Sequence, residues 1–362
     1  MRNLLVELLS MIIQGYGEIV SGYLWALASP ILSSHPSILA ALPGLAEDRG
    51  AVYGSLAAKY STMLYTGEAS SAKELLNSKV THVAVILGII GGLYVIALTS
   101  IVGNPLGSLL YFLVSRGITL TVLVPFSAYA CYLAFIKGLN VDLVVVSLTT
   151  IIADITSAAS LLITFNPVAI IPILMMLYVT LTSIKYVRAK DLKSYKEFMA
   201  STLIASTIST VAGFILVAGN AQSNPALLFI APITMALNGS ASMNFTSWLG
   251  TALSLGEVEY DKMFRSKKVY VIWGRITFTV VSALTLVLGS SLFFLHYSFK
   301  PLIWALTATL ILRIVTPILS ILVTSESFKR GWDPDLITIP VLSSLNDVLS
   351  AQALTLVTIL IK

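Results

Sequence analysis

Long apolar stretches separated by short polar segments run the length of this 362-residue chain. Charged residues make up 11% of it, whereas a soluble domain carries roughly 25%. The mean hydropathy is +0.91. These values exclude an ordinary soluble enzyme, a disordered tail and a nucleic-acid-binding protein. We therefore predict an all-α polytopic membrane protein that resides in the lipid bilayer.

The apolar stretches predict about eleven membrane spans, since roughly 20 residues cross the hydrocarbon core as a helix. The predicted spans lie near residues 4–28, 33–65, 80–103, 107–136, 143–164, 166–185, 198–219, 225–254, 269–295, 301–325 and 336–361. The second and the eighth contain glycine and polar residues midway, so we expect both helices to be broken. The fourth is long enough to tilt or to carry a surface turn.

The basic residues predict the orientation of these spans. With a cytoplasmic N-terminus, 15 of the 22 lysines and arginines fall in cytoplasmic segments and five fall within spans. Only Lys300 and Lys362 lie outside. Because cytoplasmic loops are rich in Lys and Arg, we predict a multi-pass protein of the cell membrane with an extracytoplasmic C-terminus. The net charge of +5 then reflects the basic residues of the cytoplasmic loops, which orient the spans in the membrane.

Two sequence signatures occur twice, in the same order. The segment LPGLAEDRGAVYGSLAAKYSTMLYTGE, residues 42–68, matches APITMALNGSASMNFTSWLGTALSLGE, residues 231–257, at an offset of 189. The segment GLNVDLVVVSLTTIIAD, residues 138–154, matches GWDPDLITIPVLSSLND, residues 331–347, at an offset of 193. Two ordered pairs at nearly equal offsets indicate an internal duplication.

The duplication predicts two five-helix repeats, residues 1–165 and 191–362. They are joined by a linker transmembrane helix at 166–190. An odd number of spans in each repeat would invert the second one, and the linker helix restores its orientation. We therefore expect parallel repeats related by a pseudo-twofold axis along the membrane normal, with a substrate pathway between them. A monomer of such a chain is already a pseudo-dimer of repeats, and its further oligomerisation stays open.

Two acidic residues at matching positions of the repeats point to an ion site. Asp154 and Asp347 each lie 12 residues beyond the aspartate that opens their span, which is roughly 18 Å into a core of about 30 Å. Thr150 and Ser343 stand four residues before them, on the same helix face. Carboxylates with oxygen neighbours suit a hard cation. The alternative is a protonated or arginine-paired aspartate that packs between helices, with four arginines as possible partners: Arg49, Arg116, Arg275 and Arg313.

The second and eighth spans supply further polar groups at membrane depth. Asp48 and Ser55 lie in one, and Asn238 and Asn244 lie in the other. We treat these four as candidate metal-binding residues, because polar groups at this depth commonly line a wet cavity. Pairing of Asp48 with its neighbour Arg49 is the alternative.

The two signatures resemble those of the MgtE magnesium-transporter family, and their duplication is similar to the two-repeat eukaryotic solute-carrier relatives of that family. The second repeat carries the pattern G-x-D-P-D-x₄-P-x₆-D over residues 331–347. The resemblance implies a Mg²⁺ pathway between paired five-helix units. It places the pore aspartate at Asp154 and Asp347, and the residue that lends a backbone carbonyl to the ion at Thr150 and Ser343.

Two departures from the family accompany the resemblance. Ala51 and Ser240 stand where the family often has asparagine, so the part that the second helix of each repeat takes in binding is open. The cytosolic Mg²⁺-sensing domains of bacterial members have no counterpart, so we expect gating within the helices or the short basic loops.

We accordingly predict a transporter of Mg²⁺, which is both the transported ion and the expected ligand, and not an enzyme. The nearest alternative is an exchanger that couples Mg²⁺, Mn²⁺ or Co²⁺ to Na⁺ or H⁺. An intramembrane aspartyl enzyme that uses Asp154 and Asp347 as a dyad is a different class. A scaffold subunit without transport is the last alternative.

Overall fold

The computed structural model describes residues 2–138, 141–188, 191–192, 195–294, 298–330 and 334–361. Its regular structure over those residues is entirely helical. Helices satisfy every backbone hydrogen bond within the segment, which is the main requirement for crossing a bilayer. The chain divides into two compact units. We name them the Asp154 unit, Pro30–Thr210, and the Asp347 unit, Met1–Ser29 with Val211–Lys362.

The helices of the Asp154 unit surround one long central helix. They are α2 (Ser29–Ser34), α3 (Pro36–Tyr65), α4 (Ala72–Leu76), α5 (Lys79–Thr99), α6 (Pro105–Ile118), α7 (Val124–Ile136), α8 (Val141–Ile163) and α9 (Ile170–Tyr186). The central helix α3 packs against α5, α6, α7 and α8. Its side chains Tyr53, Leu56 and Tyr60 are buried in the core.

The Asp347 unit also has a long central helix, and it includes α1. Its helices are α1 (Arg2–Leu27), α11 (Pro225–Ser254), α12 (Lys267–Phe294), α13 (Lys300–Lys329) and α14 (Pro334–Leu360). Helix α10 (Lys196–Ala218) contributes residues to both units. The central helix α11 packs against α1, α12, α13 and α14. The compact units thus group α1 with α11–α14, and the repeat boundaries 1–165, 166–190 and 191–362 stay a prediction.

Helices α3 and α11 are continuous, so the predicted breaks in the second and eighth spans are wrong. Each is a single helix of 30 residues with one interior proline, Pro43 or Pro232. Unwinding would expose backbone N–H and C=O groups at membrane depth, which costs several kcal/mol for each group. Asp48, Arg49 and Asn238 bind side chains of neighbouring helices instead, and glycine remains helical in both.

The long fourth span carries a π-turn, not a surface turn. The turn covers Thr119–Leu123 between α6 and α7, and its residues Thr119, Leu120 and Leu123 are buried. Pro125 follows at once and has no N–H to donate to the preceding turn. The wider π-turn accommodates this missing donor without ending the helix.

Eight helices in the described part of the chain are long and apolar enough to cross a membrane. They correspond to all the predicted spans except those near 33–65, 143–164 and 336–361, which fold as α3, α8 and α14. Helix α3 carries four charged residues, Glu47, Asp48, Arg49 and Lys59, which lower its hydropathy. The fold therefore shows a multi-pass helical membrane protein, and the count of eleven spans stays a prediction.

Candidate ion site

Asp154 lies on α8 with its carboxylate partly open. Its side chain is 25% exposed, and Oδ1 is 3.7 Å from Nη2 of Arg49 on α3. Burial of an unpaired carboxylate is costly, and the neighbouring guanidinium lowers that cost. The structure thus places an arginine beside this aspartate, as the packing alternative expects, while a quarter of the side chain remains exposed.

Arg49 is held in place by two hydroxyl groups. Its Nη1 donates to Ser157 Oγ at 2.5 Å and to Ser115 Oγ at 3.3 Å. The Tyr111 hydroxyl also contacts Ser157 Oγ, at 2.6 Å. These contacts join α3, α6 and α8 around one buried guanidinium, so Arg49 is a fixed positive charge next to Asp154.

Asp48 pairs with Arg116 of α6, and not with its neighbour Arg49 as one alternative supposed. Both members of the pair are buried, with side-chain exposures of 0% and 2%. Arg116 also donates to the Tyr53 hydroxyl at 3.3 Å and lies 5.4 Å from the ring centre of Phe112. Asp48 therefore lies in the interior of the Asp154 unit, away from its surface.

Gly91 of α5 makes room for this buried pair. A Cβ atom at Gly91 would lie 2.0 Å from Asp48 Oδ1, far inside van der Waals contact. Helix α5 can therefore approach the carboxylate only because residue 91 lacks a side chain. The sequence indicated Asp48 and Arg116 as polar residues at depth, but the glycine that admits their pairing carried no signal of its own.

In the Asp347 unit, Asp347 and Ser343 both lie on α14 and are neither fully buried nor exposed. Asn238 on α11 is fully buried. Its Oδ1 accepts from Arg313 Nη2 at 2.5 Å, and its Nδ2 donates to Thr309 Oγ1 at 3.1 Å. Like Asp48, Asn238 therefore binds a buried arginine in the interior of its unit.

Three of the predicted site residues are exposed. Thr150 on α8, Ser55 on α3 and Asn244 on α11 all have accessible side chains. Ser55 and Asn244 correspond at the offset of 189 that relates the first signatures. The structure thus separates the predicted set into an interior group, Asp48 and Asn238, and an accessible group.

Helix α1 adds polar contacts that the sequence reasoning did not assign. Gln14 Oε1 accepts from Ser240 Oγ of α11 at 2.8 Å, and Glu7 pairs with Arg275 of α12. Glu18 of the same helix is 3% exposed. Gln14 is a polar residue within an apolar span, and this was the signal in the sequence that could have indicated the contact with α11.

The described residues contain no group of three or more His, Cys, Asp or Glu side chains placed to hold a metal ion. A closed protein cage is therefore not formed by these residues. One or two carboxylates with hydroxyl, carbonyl and water oxygens can instead hold a cation that keeps part of its water shell, which is the usual mode for Mg²⁺.

A family model described as MgtE, divalent cation transporter, matches residues 42–164 and 231–357. The two matched regions begin 189 residues apart and end 193 residues apart, which are the offsets of the two signatures. Asp154 and Asp347 lie near the end of each region. Neither the curated proteins nor the solved structures gave a match to the chain.

Proposed function

The chain belongs to the MgtE family of divalent cation transporters, and from this premise we propose that it carries Mg²⁺ across the cell membrane with Asp154 and Asp347 as the ion site. The match over two regions confirms the resemblance and the internal duplication. A transporter family also supports transport over the aspartyl-enzyme alternative. The ion, its ligands and a pathway to which both repeats contribute belong to the proposal.

One observation carries the proposal: acids at matching positions of the two matched regions are both accessible. Asp154 is 25% exposed, and Asp347 is also only partly buried. Glu18 and Asp48, by contrast, are buried acids within long helices. An acid at membrane depth is costly and usually functional, and only an accessible one can receive an ion.

The surrounding groups suit Mg²⁺ chemically. Mg²⁺ prefers oxygen ligands and gives up water reluctantly, so one or two carboxylates and retained waters suffice. In this proposal Thr150 and Ser343 lend backbone carbonyls, and Ser55 and Asn244 supply side-chain oxygens toward a hydrated ion. Asp48 and Asn238 bind the buried arginines and stabilise the helix packing around the site.

Transport by purified protein in proteoliposomes tests the proposal. We expect Asp154→Asn and Asp347→Asn each to raise the KM for Mg²⁺ uptake roughly tenfold or more, about 1.4 kcal/mol, because asparagine removes the charge that offsets ion dehydration. Glu257→Gln is the matched control, since Glu257 is an exposed acid paired with Lys268. Its uptake should equal that of the wild type.

The same preparations test the ion site and distinguish a coupled exchanger from a channel. Folded aspartate variants with normal Mg²⁺ uptake would overturn the ion site. Uptake that stops when an imposed Na⁺ or pH gradient is dissipated would favour the coupled exchanger. Uptake that follows the Mg²⁺ gradient alone would favour a channel.

A further inference from the structure

We propose that Arg49 is a built-in cation that competes with Mg²⁺ for the Asp154 carboxylate and thereby sets how tightly the first repeat binds the ion. This inference rests on the proposed function, because it takes Asp154 as a ligand of the transported cation. The guanidinium is 4% exposed and lies 3.7 Å from the carboxylate, which is 25% exposed. The positive charge is thus buried, while part of the carboxylate remains exposed.

The geometry favours an effect of charge over an effect of positioning. A guanidinium that orients a carboxylate does so through charge-assisted hydrogen bonds of about 2.7–2.9 Å. The contact of 3.7 Å is longer than that. The hydrogen bonds of Arg49 go to Ser157 and Ser115, and its Nε has no hydrogen-bond partner in the described part of the chain. Arg49 therefore acts on Asp154 mainly through its field.

The charge cannot move away when the ion arrives. Hydroxyl groups of α6 and α8 hold Arg49 from two sides. An ion bound about 2.1 Å from Oδ1 would lie within about 6 Å of Nη2. Two cations would then share one carboxylate where the effective dielectric constant is low, so their repulsion is strong. The consequence is a weaker, more readily released ion, which a transport pathway requires.

The second repeat lacks this charge at the matching position. The offset of 189 places Asn238 where the first repeat has Arg49. Asn238 is neutral, and its carbonyl oxygen is occupied by Arg313. At this position the first repeat thus carries the positive charge on its own side chain, whereas the second repeat carries a neutral amide that accepts from Arg313 of another helix.

Mg²⁺ titration of the purified full chain by calorimetry, with uptake in proteoliposomes, tests the inference. We expect Arg49→Gln to tighten the apparent Kd for Mg²⁺ about tenfold and to lower the KM for uptake. Arg49→Lys keeps the positive charge, so its Kd should stay near the wild-type value. Arg275→Gln is the control for loss of one arginine charge, since Arg275 pairs with Glu7 in the Asp347 unit.

Folded Arg49→Gln protein with unchanged or weaker Mg²⁺ binding would overturn the inference. If this variant does not fold, Arg49→Met offers an apolar side chain of similar length. Failure of both to fold would assign Arg49 a structural role and would also overturn the inference.

Asp154→Asn, measured in parallel, separates the two proposals: normal binding and uptake by that variant reject the ion site itself. Weakened binding by Asp154→Asn without tightening by Arg49→Gln rejects only the competing cation.

Discussion

Four charged side chains in the Asp154 unit form two pairs with different access to the surface. Asp48 and Arg116 are closed off, with exposures of 0% and 2%. Arg49 and Asp154 form the outer pair, in which only the aspartate is open. A closed pair can hold helices together but cannot take an ion, whereas the outer carboxylate is partly exposed, as the proposed ion site requires. Burial thus separates the two aspartates, and only Asp154 has the access that the proposed ion site requires.

The sequence indicated these residues but not their pairing. Arg49 stands next to Asp48 in the chain, and α6 and α8 are separate spans, so four arginines were open as partners of the acids. The choice depends on which helices lie against α3 and on the space that Gly91 leaves for Asp48. Asp154 and Asp347 stand out in the sequence because their repeat positions match, and their role as ion ligands stays a prediction; the neighbours of Asp154 depend on packing between distant segments.

Asp48→Asn should destabilise the protein by about 3–5 kcal/mol, because the substitution leaves Arg116 as an uncompensated buried charge. Thermal unfolding in detergent, followed by circular dichroism, measures the effect. Glu257→Gln, which breaks the exposed pair with Lys268, should cost less than about 1 kcal/mol. An Asp48→Asn variant as stable as Glu257→Gln would remove the structural role of the closed pair.

At the scale of elements, the central helices α3 and α11 show which sequence signals for irregular backbone are reliable. Glycines and polar residues in mid-span suggested breaks, yet both helices continue. At Gly50, Gly54 and Gly239 a Cβ atom would meet no atom within 4 Å among the described residues, so these glycines serve no close packing in that part of the chain. Proline was no more reliable: Pro125 follows the one π-turn in the described helices, but Pro43 and Pro232 leave α3 and α11 continuous.

Gly22→Ala should disrupt the packing of α1 on α11. A Cβ atom there would lie 2.1 Å from the carbonyl oxygen of Phe229, and a rigid backbone atom cannot yield as a side chain can. We expect a loss of about 1–3 kcal/mol in stability, measured by thermal unfolding. Gly274→Ala is the control in the same unit, because space around Gly274 is open and alanine favours helix. Equal melting temperatures for the two variants would contradict the close approach.

At the scale of the molecule, the hydropathy pattern predicted the helices well, while it could not predict how they group. Helix α1 packs in the Asp347 unit against α11 and α12. Both repeated signatures begin at residue 42 or later, so α1 carried no repeat signal that could have assigned it. The distribution of basic residues is likewise a property of the whole chain. The orientation that it predicts allows an experiment on whether the two repeats are parallel.

Parallel repeats require equivalent loops to face the same side of the membrane. Glu68 and Glu257 correspond at the offset of 189, and both are exposed. In a Cys131→Ala background, which removes the chain's one cysteine, Glu68→Cys and Glu257→Cys should both resist an impermeant maleimide added to intact cells. Ile101→Cys, at the outer end of the third predicted span, and Ser298→Cys, in the segment after the ninth, should react, because both positions face outward in an orientation that keeps 15 basic residues in the cytoplasm. Permeabilised cells, in which all four should react, supply the control. Reaction of only one of the two glutamate positions in intact cells would mean inverted repeats. The single linker span, α9, would then no longer account for the topology.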